Sequence, residues 1–377
     1  MHFLYTAPRF HTNQHFAVKA LLDAGHEVSF LVLARGQSEE YEALDPTVLG
    51  FSSGQERILR ALGGKRRDTR WPETRVPPPR ALWNELRQRR PSAVIVRDPL
   101  SAYGRLAALM ATALGHRLIL YTQVPLHHPL SRRVRRWRKF ATSTMLRMKG
   151  AHWITPVLGP AGRHRAPRRW HYVPFVMEPQ TAPEQRSWFP DGAVRILTVG
   201  KYEPRKNHDL LLQVVARLSQ RHPVRCTVVG ECSTPEHERQ LSSLRQCAAD
   251  LGLGGQVSFK VNLSFSEVQD EYRRHDVFVL ASRREAAAVS PLEAMAHSLP
   301  VVCSDSNGTE CYIRGGENGY VFRTGDETDL EACLERIVGD RETLVRMGAR
   351  GYEIVVDEHA PGKYVDALLS IVEGRRG

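Results

Sequence analysis

The string Arg284-Glu285-Ala286-Ala287-Ala288-Val289-Ser290-Pro291-Leu292-Glu293 places two carboxylates on either side of seven uncharged residues. Carboxylates accept hydrogen bonds, so the pair is either two working carboxylates or one loop residue and one helix cap. Ser290-Pro291-Leu292-Glu293 has the form of a capping box, with Ser290 as N-cap, Pro291 at N1 and Glu293 at N3. Glu293 therefore has a structural explanation. Glu285, five residues before the expected cap, has none and reads as an unpaired carboxylate offered to a hydroxyl-rich ligand.

A second chemical feature stands about eighty residues earlier. Gly200-Lys201-Tyr202-Glu203-Pro204-Arg205-Lys206-Asn207 follows the apolar run "VRILTV". Gly200 permits close approach of the backbone, and Lys201, Arg205 and Lys206 put three cations in one strand-to-helix loop, a cradle for a diphosphate. A solvated loop with incidental charges would read similarly. Gly230, ending "RCTVVG", is a weaker pointer to the same sheet edge. Asp98, after "AVIVR", is another strand-end carboxylate, with an ion pair near Arg97 as its structural alternative.

These residues need a scaffold that brings strand ends together. "HFLYTA", a helical "FAVKALLDAGHEV" and "SFLVL" form a β-α-β unit, repeated as "SAVIVRD", "GRLAALMATALG" and "RLILYTQ", with "AHWITPV" and "WHYVPFVM" to follow. From residue 193 the alternation restarts with "VRILTVG", "RCTVVG", "QVSFKV", "DVFVLAS" and "PVVCSD" as five strands. The fold class expected is α/β, two Rossmann-like domains facing across a cleft, with ligands at the C-terminal edges of the sheets. Boundaries fall at 1–177 for the N-terminal Rossmann-like domain, 178–192 for a proline-rich linker and 193–357 for the C-terminal one; 358–377 is a helix crossing back to the first.

The 377 residues carry a net charge of +12, unevenly spread: residues 1–190 hold 30 Lys and Arg against 13 Asp and Glu, and residues 191–377 hold 23 against 28. The first half should face something anionic, nucleic acid or an acidic membrane surface. "SRRVRRWRKF" supplies an amphipathic basic helix from Ser131, with cations at Arg132, Arg133, Arg135, Arg136, Arg138 and Lys139. It is either an ordinary helix with a solvated face or a dock for anionic lipid. The six cysteines all follow residue 225 without a CxxC pair, which points to buried apolar roles in a reducing compartment. No apolar run is long enough to span a bilayer and the start does not read as a secretion signal.

Taken together, "AGHEV", "VGKYEPRKNHDLLL", "VVGE", "DVFVLASRREAAAVSPLEAMAHSLPVV" and "NGTECYIRGGENGYVF" resemble the retaining glycosyltransferases of family 4, which have the GT-B fold, and among them bacterial enzymes of lipopolysaccharide and surface-polysaccharide synthesis. The resemblance implies that Lys201 and Lys206 bind the diphosphate of a nucleotide sugar, Lys201 standing in for the more usual arginine. It implies that Glu285 meets the donor sugar's hydroxyls and Glu293 the ribose. Backbone amides of Ala287, Ala288 and Val289, beside Ser290, would face sugar and phosphate, with Gly230 near the donor and Val261 and Asn262 near the base. Two departures stand out. Ala286-Ala287-Ala288 replaces a glycine-containing triplet and Ser298 a glycine, so a backbone needing positive φ would be strained there. In the first βα loop, Thr12, Asn13 and Gln14 replace paired glycines and would put hydroxyl and amide groups on the acceptor side. There too the family places a histidine close to the sugar, here His127 ahead of its neighbour His128, with two surface histidines as the structural alternative.

The activity implied is transfer of a sugar from a nucleotide-diphosphate sugar, a uridine diphosphate sugar first, to a hydroxyl of a lipid-linked glycan, with retention, no metal and no other cofactor. The partners implied are that donor, the glycan acceptor and an anionic inner-membrane surface met through Arg132–Lys139 on its cytoplasmic face; nucleic acid is not expected. Two rivals remain. A non-catalytic anionic-polymer binder explains the basic half alone, and an epimerase or phosphorylase keeps the fold with other products.

Overall fold

Short apolar runs buried on both faces make central strands of parallel sheets, because crossover helices cover each side. In the computed structural model, which describes residues 1–10, 14–35, 43–54, 75–126, 150–159 and 169–374, the runs form two such sheets. The chain divides into one unit of residues 1–176 with 361–377 and another of residues 177–360.

The first unit holds β1 (His2–Thr6), β2 (Glu27–Val32), β3 (Thr47–Val48), β4 (Ala93–Arg97), β5 (Arg117–Tyr121), β6 (His152–Thr155) and β7 (Trp170–Tyr172) in the order β3-β2-β1-β4-β5-β6-β7. All pairs are parallel. One face packs Phe3, Tyr5, Phe30 and Ile95 under helix α1 (His15–Asp23). The other packs Leu4, Val94, Val96 and Leu118 under α2 (Pro79–Arg89) and α3 (Ala102–Ala113). Full burial of each such side chain stabilises the fold by about 1.5–3 kcal/mol. Ser101 caps α3 by accepting from the Gly104 N–H (3.0 Å), and Gly104 needs its missing Cβ, which would stand 2.4 Å from the Asp98 carbonyl.

The second unit holds β8 (Val194–Val199), β9 (Val224–Gly230), β10 (Val257–Val261), β11 (Val277–Leu280), β12 (Val301–Ser304) and β13 (Gly319–Phe322) in the order β10-β9-β8-β11-β12-β13, again all parallel. Its helices are α4 (His208–Leu218), α5 (Pro235–Asp250), α6 (Phe265–Arg274), α7 (Ser290–Ala296), α8 (Glu327–Val338) and α9 (Arg341–Glu358). Six strands stand where the sequence pattern indicates five, because the apolar run of β13 is only Tyr320-Val321-Phe322 between Gly319 and Arg323. Both sheets have the strand order of dinucleotide-binding domains, which reverses between β1 and β4 in the first and between β8 and β11 in the second.

Residues 178–192 fold into the second unit. Thr181 and Arg186 are buried, and the Arg186 guanidinium donates to the carbonyls of His297 (2.5 Å), Tyr272 (3.4 Å) and His275. The last helix, α10 (Pro361–Glu373), returns to the first unit, where Val365, Leu368 and Val372 join the α1 side of the core and the Tyr364 and Tyr5 hydroxyls meet at 2.9 Å. The cysteines are all free, with Cys226, Cys303 and Cys333 buried. Among the described residues no helix is long and apolar enough to cross a membrane.

Candidate functional site

Loops leaving adjacent strands diverge where strand order reverses, opening a crevice at the C-terminal edge. In the second unit the two strands concerned are β8 and β11. Below the crevice they are locked together by Asp276, fully buried, which takes both Nε (2.8 Å) and the terminal nitrogen (2.7 Å) of Arg195.

The loop after β8 is held from beneath. Tyr202 is fully buried and donates its hydroxyl to the carbonyls of Val228 (3.0 Å) and Lys260 (2.9 Å). Its ring lies on Gly230, where an added Cβ would stand 2.5 Å from Tyr202 Cε2. Gly200 makes room for a different neighbour: a Cβ there would meet Lys206 Cε at 3.0 Å. Both glycines thus admit side chains of the loop itself. Residues Pro204–Lys206 form one 3-10 turn, and Asn207, left-handed at φ 56°, turns the chain into α4. His208 behind the turn is fully buried; burial, then the Lys206 charge, holds its pKa down at about 4, so it is neutral.

The loop after β11 is tied to the first by the Arg283 N–H, which donates to the Arg205 carbonyl (2.8 Å), and by Arg283 Nε to Asn207 Oδ1 (3.1 Å). It is tied to the segment after β12 by backbone bonds from Glu285 N–H to Ser306 O (3.1 Å) and from Gly308 N–H to Glu285 O (3.0 Å). The Glu285 carboxylate then receives Lys206 Nζ and an Arg205 nitrogen, each at 2.7 Å, on the same oxygen, Oε2.

Glu285 is therefore paired, correcting the reading of a lone carboxylate; its partners lie 79 and 80 residues away in sequence. Burial alone would raise its pKa, but the Lys206 ammonium and Arg205 guanidinium outweigh it and hold the carboxyl below its ordinary value. The remaining cation of the loop, Lys201, is matched too, with Nζ 3.1 Å from Glu231, and Arg205 Nε also donates to Glu203 (2.6 Å). Glu203 and Glu231 went unnoticed in the sequence, although both stand inside the loop segments that carry the cations and glycines.

Helix α7 begins one residue earlier than the sequence pattern suggests. Ser290 is its first residue, Val289 is the N-cap with helical dihedrals, and no side-chain cap is made, so the capping box is absent. Glu293 gives its N–H to the Val289 carbonyl and turns its carboxylate to the Tyr272 hydroxyl, 2.9 Å away. Freed of a capping duty, Glu293 stays partly exposed, and burial raises its pKa against a smaller lowering by the Tyr272 hydroxyl.

None of Ala286, Ala287 and Ala288 has positive φ, so the alanine run carries no strain of the kind expected. The Ala288 N–H is given to Asn307 Oδ1 (3.3 Å) and its carbonyl accepts from Thr309 Oγ1 (2.8 Å), so this amide is engaged by protein rather than offered to a ligand. Ser298 does adopt the glycine-like conformation, at φ 58°, with its hydroxyl on the Thr181 carbonyl (2.7 Å). Gly348 makes that possible, since a Cβ there would stand 2.2 Å from Ser298 O. Val261 ends β10; Asn262 is left-handed at φ 54° and spends its amide on the Cys232 backbone, at 2.7 and 3.0 Å, rather than leaving it open to a base.

In the first unit, Asp98 is exposed, left-handed at φ 50°, and 3.7 Å from Arg97 Nε, matching its structural alternative. Gln14 is the N-cap residue of α1 without a side-chain cap bond. Thr12, Asn13, His127, His128 and the Arg132–Lys139 segment lie outside the described residues. Among the described residues no group of three or more His, Cys, Asp or Glu is placed to hold a metal ion.

The switch-point loops lie within residues 181–354, which match the family described as Glycosyl transferases group 1. By sequence, that segment is similar to group 1 glycosyltransferase domains. Related proteins include the lipopolysaccharide core biosynthesis glycosyltransferase LpsE of Rhizobium meliloti, 30% identical over 190 residues, which span 49% of this chain and 52% of LpsE. A D-inositol 3-phosphate glycosyltransferase of Geodermatophilus obscurus is 32% identical over 49% of this chain and 43% of its own length. The chain spans about half the length of the curated relatives it matches. In fold the match is longer. Anabaena Alr3699/HepE, solved with UDP and glucose, has a TM-score of 0.72 at 14% identity over 99% of this chain and 100% of its own. WaaG, a glycosyltransferase involved in lipopolysaccharide biosynthesis, has 0.62 at 14% identity over the same shares. The fold is thus the GT-B type, with two Rossmann-like domains.

Proposed function

We propose that the protein transfers a sugar from a nucleotide-diphosphate sugar to a hydroxyl of a lipid-linked glycan, with retention at the anomeric carbon. One observation carries this reading: Arg205 and Lys206 meet Glu285, and Lys201 meets Glu231, in the loops at the switch point of a sheet inside the segment that matches the group 1 family. On this reading the C–O bond to the diphosphate breaks as the acceptor oxygen approaches from the same face. Charge developing on the leaving diphosphate is met by the three cations, and a phosphate oxygen takes the acceptor's proton. These cations supply the charge that a metal would otherwise supply, so we propose a metal-independent reaction. Glu285 meets sugar hydroxyls and Glu293 the ribose.

A uridine diphosphate sugar is the first donor to try, since a protein of the same fold was solved with UDP and glucose. The likeness to LpsE over half the chain and the cationic excess of residues 1–190 support a lipid-linked acceptor and peripheral attachment to an anionic membrane surface. A thermal-shift panel of nucleotide sugars tests the donor, because ligand at a hundred times Kd stabilises by about 2.7 kcal/mol. Lys206→Ala should lower transfer by orders of magnitude with the circular dichroism spectrum kept. Near-normal transfer by that variant overturns the assignment, and product analysis separates transfer from epimerase or phosphorylase chemistry.

A further inference from the structure

We infer that Tyr272, which nothing above assigns to the reaction, is a positioning residue that fixes Glu293 to grip the vicinal hydroxyls of a ribonucleoside diphosphate and to reject its 2′-deoxy counterpart. This inference rests on the proposed donor class. Glu293 differs from Glu285 in its company. Glu285 sits between two cations, whereas the contact that fixes the Glu293 side chain is a neutral phenol: Tyr272 donates to Oε2 at 2.9 Å. That bond halts rotation of the carboxylate and leaves Oε1, with the remaining lone pairs, to a ligand.

The phenol is itself immobilised. Tyr272 is fully buried, and its ring stacks on His297 with centroids 5.5 Å apart and an interplanar angle of 8°. His297, 1% exposed, is locked in turn, Nδ1 to Thr181 Oγ1 and Nε2 to Gln269 Oε1, both at 2.8 Å, while its carbonyl accepts from Arg186 (2.5 Å). Such a stack is more than a solvated carboxylate needs. It holds one oxygen at a fixed place on the partly exposed side of α7.

The charged and titratable groups linked to Glu293 are Tyr272 from α6, His297 just past the end of α7, and Arg186 and Arg273, which act on His297. His297 stays neutral, since burial, then Arg186 and Arg273, hold its pKa at about 3. Glu293 must be ionised to accept from two hydroxyls. Burial raises its pKa and the Tyr272 hydroxyl lowers it, so removing that hydroxyl raises it further. Grip on the diol is then lost at a higher pH as the solution is acidified.

The test is calorimetric titration with UDP and with 2′-deoxy-UDP between pH 5 and 8, on the wild type, Tyr272→Phe and Glu293→Gln. The wild type should prefer UDP by about tenfold, the worth of a hydrogen bond to a charged group, and lose the preference on acidification. Tyr272→Phe should lose most of it at pH 7, with the midpoint of the pH profile displaced upward and KM for the donor raised more than kcat is lowered. Glu293→Gln should lose both the preference and its pH dependence. Tyr272→Phe with wild-type preference and profile overturns the inference while leaving the donor class intact. Should Tyr272→Phe not fold, a wild-type preference that ignores pH overturns it equally. No binding of either nucleotide overturns the donor class and this inference with it.

Discussion

Replacing Glu285 by Gln should strengthen binding of a bare nucleoside diphosphate while weakening sugar transfer. In the free protein the Glu285 carboxylate already occupies Lys206 and Arg205, each at 2.7 Å. A phosphate oxygen held at similar distance on the far side of the same ammonium would lie about 5.4 Å from the carboxylate. Two unit charges at that spacing repel by about 3 kcal/mol at an effective dielectric of 20 and about 0.8 kcal/mol in water. The side chains of Lys206 and Glu285 are 9% and 16% exposed, so a value between these limits applies, about 1.5 kcal/mol or roughly tenfold in Kd. Calorimetric titration of UDP into both proteins at low salt reads this directly, and the gain should shrink as salt is raised. Transfer should fall, because the amide accepts sugar hydroxyls more weakly than the carboxylate. A folded E285Q protein with unchanged or weaker UDP affinity refutes the account of Glu285 as a negative charge that repels the diphosphate across Lys206.

Three further outcomes are expected. Gly230→Ala puts a methyl 2.5 Å from the Tyr202 ring and 2.7 Å from the Gly200 carbonyl, so it should cost about 1–3 kcal/mol in urea unfolding and weaken nucleotide binding as the cation loop shifts; a wild-type midpoint would contradict this. Arg186→Leu strands the carbonyls of His297, Tyr272 and His275 and should destabilise by about 3 kcal/mol, measured in the same way. His208 has its pKa depressed to about 4, so its neutral form contributes stability in full above about pH 6.5, lost as pH falls toward 4. That amounts to about 3 kcal/mol at pH 7, and His208→Gln should flatten the stability profile between pH 6.5 and 4.5.

Much of the fold was legible because strand and helix periods alternate plainly along the chain. Of the strands missed, β3 has two residues, and β13 offers only the three-residue apolar run Tyr320-Val321-Phe322, shorter than the run around β11. Which strands lie side by side was not legible, and with it the fact that the loops after β8 and β11 meet. Glu285 therefore looked unpaired, since its cations are remote in sequence and close only through the reversal of strand order. Ser290-Pro291-Leu292-Glu293 misled in the other direction: the same four letters serve a capping box or a helix begun one residue sooner, and the Tyr272 hydroxyl decides between them. The substitution at Ser298 was visible, but its accommodation depends on Gly348, fifty residues on.

On the proposed function, the anchoring of the alanine run bears on how the sugar side of the site can vary. Ala288 is pinned by Asn307 and Thr309, which follow β12, whereas Lys201 and Lys206 rest on β8 and β9 through Gly200, Tyr202 and Gly230. On the proposed reading, the segment facing the sugar and the segment gripping the diphosphate are inherited on different supports. On that reading, exchanges confined to residues 286 to 289, 307 and 309 reshape the sugar side while Gly308 still holds Glu285 and Lys201 and Lys206 keep their supports.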